Sequence, residues 1–160
     1  MHKTQIDIPE KIRRKVVATL SERLADAIDL SLQVKQAHWN VKGPRFIALH
    51  EFFDKVAEAV EGQVDELAER ITTLGGVAEG TVAAVAGRST LKAYPLDITT
   101  GTAHLTALAA ALARYGAGLR AAIDSADKLG DKVTSDLYTG LAAEIDKQLW
   151  FVEAHLQAKD

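Results

Sequence analysis

Apolar residues recur at spacings of three and four along most of the chain, which predicts long amphipathic helices. The first predicted helix runs from about Pro9 to about His38, because proline suits an opening turn and Gly43-Pro44 cannot continue a helix. The second starts near Pro44 and ends at Gly75-Gly76. The turn Leu129-Gly130-Asp131 separates the last two. In chain order, the apolar stripes of the four predicted long helices are Leu20, Leu24, Ala27, Ser31, Val34 and His38; Phe53, Val56, Val60, Val64, Leu67, Ile71 and Leu74; Leu105, Leu108, Leu112, Tyr115, Leu119 and Ile123; and Leu137, Leu141, Ile145, Leu149, Val152 and Leu156.

A long connection lies between the second and third predicted helices, from Gly75 to Ile98, and Val82–Ala86 within it is predicted to form a short helix. Connections in the order short, long, short are typical of the ferritin-like bundle, which needs one long crossover. We therefore expect an all-α, ferritin-like four-helix bundle over residues 9–157. Residues 1–8 are expected to form a short N-terminal tail, and residues 158–160 a C-terminal tail.

The amino-acid composition excludes several kinds of metal site and several classes of function. The 160 residues suffice for one domain, and the absence of cysteine excludes disulfides and thiolate metal sites, so any metal must be held by His, Asp or Glu. No export signal and no run of 18 apolar residues is visible, which predicts a cytoplasmic protein without a membrane span, and association with the nucleoid is a further expectation. A net charge of −3 argues against a generic nucleic-acid binder.

Two pairs of candidate metal ligands lie on the second predicted helix. His50 and Asp54 are four residues apart, as are Asp65 and Glu69, so each pair shares one helix face. At 100° per residue the four fall at roughly 0°, 40°, 60° and 100°, whereas the apolar stripe centres near 280°. These side chains are therefore expected to flank the core.

Helix length separates the two pairs. Asp54 and Asp65 lie 11 residues apart, which is about 16 Å along a helix, whereas metal–ligand bonds are only ~2 Å long. The pairs can meet if a second copy of the helix packs antiparallel about a two-fold axis, which would generate two equivalent sites. His38, one turn before the break, is placed to join the His50–Asp54 half. Such a mixed set of nitrogen and oxygen ligands suits iron, and also zinc or manganese.

Simpler interpretations exist for each residue alone. His38 is also explained as a core histidine, Trp39 as a packing residue, and each carboxylate as a surface charge. The intrachain di-iron signature Glu-x-x-His is absent, since the residues three before the four later histidines are Lys35, Ile47, Gly101 and Val152. The joint pattern of two pairs and a nearby histidine favours a site between subunits.

Three segments carry a resemblance to a known family. KQAHWNVKGPRFIALHEFFDKVAEAVEGQVDELAERI (Lys35 to Ile71), LKAYPLDI (Leu91 to Ile98) and DLYTGLAAEIDKQLWFVEAHLQ (Asp136 to Gln157) resemble the DNA-protection-during-starvation (Dps) mini-ferritins. The resemblance covers almost the whole chain. It implies a subunit of a dodecameric shell with 23 symmetry that oxidises Fe(II), preferentially with hydrogen peroxide, and stores the ferric mineral inside.

The resemblance also implies particular roles for residues. The ferroxidase ligands would be His38, His50 and Asp54 of one chain with Asp65 and Glu69 of its two-fold partner, and Lys35 and Trp39 would be neighbours of the centre. Two irons held side by side would give peroxide two electrons at once, so that no hydroxyl radical is released. The segment carrying Asp124, Asp127, Asp131 and Asp136 matches the region of the family's acidic iron-entry pores. Helix-cap aspartates in a solvated turn explain that segment equally well.

The tails depart from those of the DNA-binding members, which carry lysine-rich extensions. Here the residues before the first helix contain one lysine, Lys3, offset by Asp7, and the last four, Gln157 to Asp160, are not basic. DNA binding by one subunit is therefore expected to be weak, although many copies add avidity. Two alternatives remain open: a chromatin-compacting DNA-binding protein with a vestigial metal site, using Lys3, Lys11, Arg13, Arg14 and Lys15, and a dimeric helical scaffold with structural zinc.

Overall fold

A computed structural model describes residues 1–158 and confirms the all-α, ferritin-like architecture. Of the predicted C-terminal tail, residues 159 and 160 lie outside the described residues. Four long helices and one short helix follow one another in the order predicted. They are α1 (Glu10–Asn40), α2 (Phe46–Thr73), α3 (Val82–Arg88), α4 (Gly101–Leu129) and α5 (Lys132–Ala154).

The helix ends follow from local chemistry. Pro9 caps α1, and α2 begins at Phe46, two residues later than expected, because Gly43 to Arg45 form a turn. Asp131 accepts a hydrogen bond from the Thr134 amide at the start of α5. Gly75, after α2, has a φ of 84°, and a Cβ there would lie 2.5 Å from the His2 carbonyl oxygen. Glycine is therefore required where the N-terminal segment crosses the end of α2.

The core forms between two helical hairpins. α1 packs antiparallel on α2, and α4 on α5, while α1 also packs on α4. The predicted apolar stripes supply most of the buried side chains, with Tyr115, Tyr138 and Phe53 the largest fully buried ones. Of the candidate ligands on α2, Asp65 and Glu69 are exposed and His50 and Asp54 are partly exposed, so they flank the core as the helix wheel predicts.

Three polar side chains of α1 anchor the crossover. Asp26 accepts a hydrogen bond from the Thr90 amide at 2.6 Å, and Asp29 accepts one from the Ser89 hydroxyl at 2.5 Å. Gln33 donates to the Lys92 carbonyl oxygen at 3.0 Å. The segment after α3 is therefore held along α1, which the apolar pattern does not predict. None of the helices within residues 1–158 is long and apolar enough to cross a membrane.

Candidate metal centre

The turn between α1 and α2 brings two predicted ligands into direct contact. His38 lies in the last turn of α1 and His50 in the second turn of α2. Their imidazole rings stack with centroids 3.7 Å apart and planes 22° from parallel. The Nδ1 atom of each ring lies 2.8 Å from the main-chain carbonyl oxygen of the other residue. The two histidines thus form a reciprocal, rigid pair.

This pairing determines the tautomer of both rings. A carbonyl oxygen only accepts hydrogen bonds, so the Nδ1 atoms of His38 and His50 must carry the protons. In each neutral ring the lone pair then resides on Nε2, the atom available to a metal. Metal-binding histidines are commonly oriented in this way, with the other ring nitrogen donating to a carbonyl or carboxylate. The pair therefore presents two prepared nitrogen donors.

Asp54 completes this half of the site. Its Oδ1 lies 3.9 Å from Nδ1 of His38 and accepts a hydrogen bond from the Lys35 ammonium at 2.6 Å. That hydrogen bond is the main reason that the pKa of Asp54 is lowered from its ordinary value. The carboxylate is 44% exposed, so an incoming cation can reach it. Lys35 thus stands beside the predicted centre and already neutralises one of its carboxylates.

Asp65 and Glu69 lie elsewhere on the chain. Both are exposed and occupy the C-terminal half of α2, several turns beyond Asp54. Within residues 1–158 no group of three or more His, Asp or Glu side chains is arranged to hold a metal ion. The structure therefore separates the five predicted ligands into two groups: His38, His50 and Asp54, termed the histidine half, and Asp65 and Glu69, termed the carboxylate half.

Trp39 is not packed within the chain. Its side chain is 64% exposed, next to the histidine half, and the Lys35 ammonium lies 5.9 Å from the centre of its ring. Leu32 on α1 and Ile47 on α2 are also exposed apolar residues. The packing interpretation of Trp39 therefore needs a partner beyond this chain.

The four aspartates of the predicted pore segment lie in different environments. Asp131 is 1% exposed, and its carboxylate accepts hydrogen bonds from Thr134 and from the Arg70 guanidinium at 3.0 Å. This carboxylate therefore does not face a solvent channel, and the helix-cap interpretation describes it. Asp127 pairs with Lys132 at 2.8 Å, and the resulting hydrogen bond lowers its pKa. Asp124 and Asp136 are exposed.

Two of the basic residues near the N-terminus, Arg13 and Arg14, have partners within the chain. Arg13 is buried and donates to the carbonyl oxygens of Ile8 at 3.0 Å and Leu74 at 2.7 Å. Arg14 forms an ion pair with Glu10. The His2 amide donates to the Gly75 carbonyl oxygen at 2.6 Å, which holds the N-terminal segment against the end of α2.

Sequence reasoning missed the main-chain groups at the histidine half. The carbonyl oxygens of His38 and His50 orient the opposite rings, but no side-chain pattern reveals where two helix ends cross. The only available signal was the short break between α1 and α2, which requires the residues on either side of it to approach one another.

Comparisons with known proteins agree with this fold. The family model for the ferritin-like domain matches residues 17–159. A DNA protection during starvation protein of Agrobacterium fabrum is 46% identical, over 99% of this chain and 98% of that protein. The Mycobacterium smegmatis Dps structure superposes with a TM-score of 0.93 at 38% identity, covering 99% of this chain and 96% of the other. A Vibrio cholerae Dps structure, described as a member of the ferritin-like diiron-carboxylate superfamily, superposes with a TM-score of 0.91 at 25% identity, covering 98% of each chain.

Proposed function

Because the chain belongs to the Dps family of ferritin-like proteins, we propose that it oxidises and stores iron. Fe(II) is the substrate, hydrogen peroxide the preferred oxidant, and the ferric mineral collects inside a shell of twelve subunits. The centres form between two-fold-related subunits, where the histidine half of one chain faces the carboxylate half of the other. Each dimer then contains two equivalent centres.

The observation that carries this proposal is the reciprocal His38–His50 pair. An ordinary core histidine needs no prepared lone pair, whereas this pair uses both Nδ1 protons on main-chain oxygens and leaves both Nε2 atoms free. With Asp54 beside them, these donors bind Fe(II) more readily than a hard cation such as Mg²⁺, because imidazole suits transition metals. The carboxylate half supplies the negative charge that stabilises the Fe(III) product.

The proposed reaction balances in electrons and protons and releases no hydroxyl radical. Two Fe(II) ions each lose one electron, hydrogen peroxide takes up both electrons and two protons, and two water molecules form. Asp65 and Glu69 hold one iron with His38, while His50 and Asp54 hold the second. Trp39, exposed beside the histidine half, is positioned to take up a single oxidising equivalent when only one iron is bound.

DNA protection follows from this chemistry in our proposal, because removal of Fe(II) and peroxide requires no contact with DNA. Direct binding is weakened by the engagement of Arg13 and Arg14, which leaves Lys3, Lys11 and Lys15 as the cations of this region for phosphate contacts. Fewer phosphate contacts mean lower affinity, and the affinity then depends less steeply on the salt concentration.

To test the proposed function, the assembled protein is mixed with Fe(II) and hydrogen peroxide, and the absorbance of the ferric product is followed over time. The unmodified protein should oxidise iron rapidly and keep the ferric core soluble, and His38→Ala and Asp65→Ala should each slow oxidation at least tenfold, in line with loss of a metal ligand. His2→Ala is the matched control, since this side chain is exposed and belongs to neither half. Unchanged rates in both site variants would reject the assignment.

The same protein distinguishes the alternatives. A chromatin-compacting protein would retard plasmid DNA in a gel at physiological salt and lose this property when Lys3, Lys11 and Lys15 are replaced by glutamine. A zinc-containing scaffold would scatter light as a small particle and would not turn over Fe(II). We expect a large particle, rapid iron oxidation and no retardation at physiological salt.

A further inference from the structure

A layer of buried polar side chains crosses the middle of the helix bundle. The layer consists of one residue from each long helix: Arg23 of α1, Gln63 of α2, Tyr115 of α4 and Tyr138 of α5. All four are buried, three of them completely. Such a layer is unusual in a core that is otherwise built from aliphatic and aromatic residues, because burial of a polar group is costly unless the group is hydrogen-bonded.

Interactions between the helices bring these side chains near one another, and the phenols of Tyr115 and Tyr138 both lie within electrostatic range of Arg23. The Arg23 guanidinium lies against Gly118 of α4, where a Cβ would collide with it. The Gln63 amide nitrogen donates to the Leu141 carbonyl oxygen at 3.2 Å and to the Glu144 carboxylate at 3.0 Å on α5. Because both of these partners are acceptors, the amide nitrogen must face them, and the Gln63 carbonyl oxygen points the other way.

Four polar atoms of the layer have no partner within the described residues. Three are hydrogen-bond donors, namely the hydroxyl groups of Tyr115 and Tyr138 and Nε of Arg23, and the fourth is the acceptor Oε1 of Gln63. Burial raises the pKa of both phenols well above the ordinary value, so they remain neutral donors. Unpaired atoms of this kind destabilise a folded protein, and native structures usually pair them with buried water.

The charges in the layer determine which ligand fits. Arg23 is already neutralised by Asp26 at 3.1 Å, so the layer has no remaining charge to balance an added ion of either sign. A neutral molecule that both donates and accepts has no such penalty. Three donors require three lone pairs, whereas one water molecule offers two and also supplies the proton that the Gln63 oxygen needs.

We propose that this layer is an internal hydration site that holds at least two ordered water molecules, which bridge Tyr115, Tyr138, Arg23 and Gln63. Intrachain di-iron bundles place inward-facing Glu and Glu-x-x-His ligands in the bundle core. In this chain the inward-facing polar layer binds neutral solvent and joins all four helices through hydrogen bonds. The proposal depends on the fold and is independent of iron oxidation.

The first test is a crystal structure of the assembled protein at a resolution that shows ordered solvent. We expect at least two solvent peaks within hydrogen-bond distance of the Tyr115 and Tyr138 hydroxyl oxygens, and a layer without such peaks would overturn the proposal. The iron content of the crystals does not affect this result.

The second test uses the direction of a stability change. If the hydroxyls are bridged by water, Tyr115→Phe and Tyr138→Phe should each lower the midpoint of thermal unfolding by about 2–4 °C, as expected for loss of one hydrogen bond in a domain of this size. Tyr94→Phe is the calibration, because the Tyr94 hydroxyl has a protein partner, Nδ1 of His104, at 2.7 Å. If both core variants melt at a higher temperature than the unmodified protein, the hydroxyls are unpaired and the proposal is wrong.

Discussion

The rings of His38 and His50 stack at 3.7 Å, and each donates its Nδ1 proton to the main-chain oxygen of the other residue. The orientation of each ring therefore depends on the position of the other helix. A change that separates the end of α1 from the start of α2 would release both rings at once. The two histidines are best regarded as one ligand unit.

The first prediction concerns the loss of one ring from this unit. In His50→Ala the main-chain oxygen that accepts from His38 remains, but one nitrogen donor and the stacking contact disappear. We expect iron oxidation to slow by at least about tenfold, because even the loss of a group that only orients a metal ligand costs about 10–100-fold. Stopped-flow absorbance measures the rate. A rate equal to that of the exposed-site variant His2→Ala would contradict the prediction.

The second prediction concerns Lys35. The Lys35 ammonium hydrogen-bonds Asp54 and repels any cation bound there, so Lys35→Met should tighten the binding of the second divalent ion by about tenfold, since a unit charge near 4 Å contributes on the order of 1 kcal/mol even in water. Calorimetric titration with Zn²⁺, a redox-inert substitute for Fe(II), provides the affinity. Lys55→Met is the matched control, because it removes the same charge from an exposed position next to Asp54 in sequence.

Lys35→Met should also raise the pKa of Asp54. Lys35 keeps the pKa of Asp54 below its ordinary value, so the paired carboxylate stays ionised as the pH falls through the ordinary range for aspartate. Without the ammonium, the pKa of Asp54 should rise towards that ordinary value. Carboxyl-carbon NMR during a pH titration of the metal-free protein measures the pKa of Asp54, and an unchanged pKa would show that Lys35 does not control Asp54.

The third prediction separates structural from surface aspartates in the segment from Asp124 to Asp136. Asp131→Ala removes the cap of α5 and deprives the Arg70 guanidinium, which is 14% exposed, of its carboxylate partner. We expect the free energy of unfolding to fall by about 3 kcal/mol, the lower end of the cost of breaking a buried ion pair. Urea unfolding measures this loss. Asp136→Ala, at an exposed position of α5, should change the free energy of unfolding by less than about 0.5 kcal/mol.

The fold could be predicted from the sequence because the helix breaks, the apolar stripes and the connection lengths all indicated the same bundle. Gly43-Pro44 and Gly75-Gly76 interrupt the periodicity, and the apolar stripes between them become the buried faces of α1 and α2. The long crossover identified the bundle class. Helix bounds differed by only a few residues, since Gly43 to Arg45 form a turn that periodicity alone does not resolve.

The roles of individual charged residues were harder to predict. Arg13 and Asp131 look like ordinary surface charges in sequence, yet one is buried against main-chain oxygens and the other against Arg70. Both roles depend on chain segments more than 60 residues away, which no local spacing reveals. The spacing of His50 and Asp54 did predict that both side chains lie on one face of α2, because residues four apart are neighbours on a helix.

The fourth prediction tests whether the centre is shared between subunits. One variant lacks the histidine half, through His38→Ala and His50→Ala, and the other lacks the carboxylate half, through Asp65→Ala and Glu69→Ala. Each should be inactive alone. In a mixed dimer, one of the two centres combines two damaged halves, whereas the other combines two intact halves. Random mixing makes half of the dimers mixed, so co-assembly should restore about a quarter of the unmodified activity.

The outcome of this mixing experiment depends on geometry alone. If the ligands met within one chain, every centre would contain a damaged half, and co-assembled shells would be as inactive as the separate variants. Shells assembled separately and then combined serve as the control, because their subunits have not mixed. Activity near a quarter in the co-assembled sample, with none in the control, would show that the histidine half of one subunit works with the carboxylate half of another.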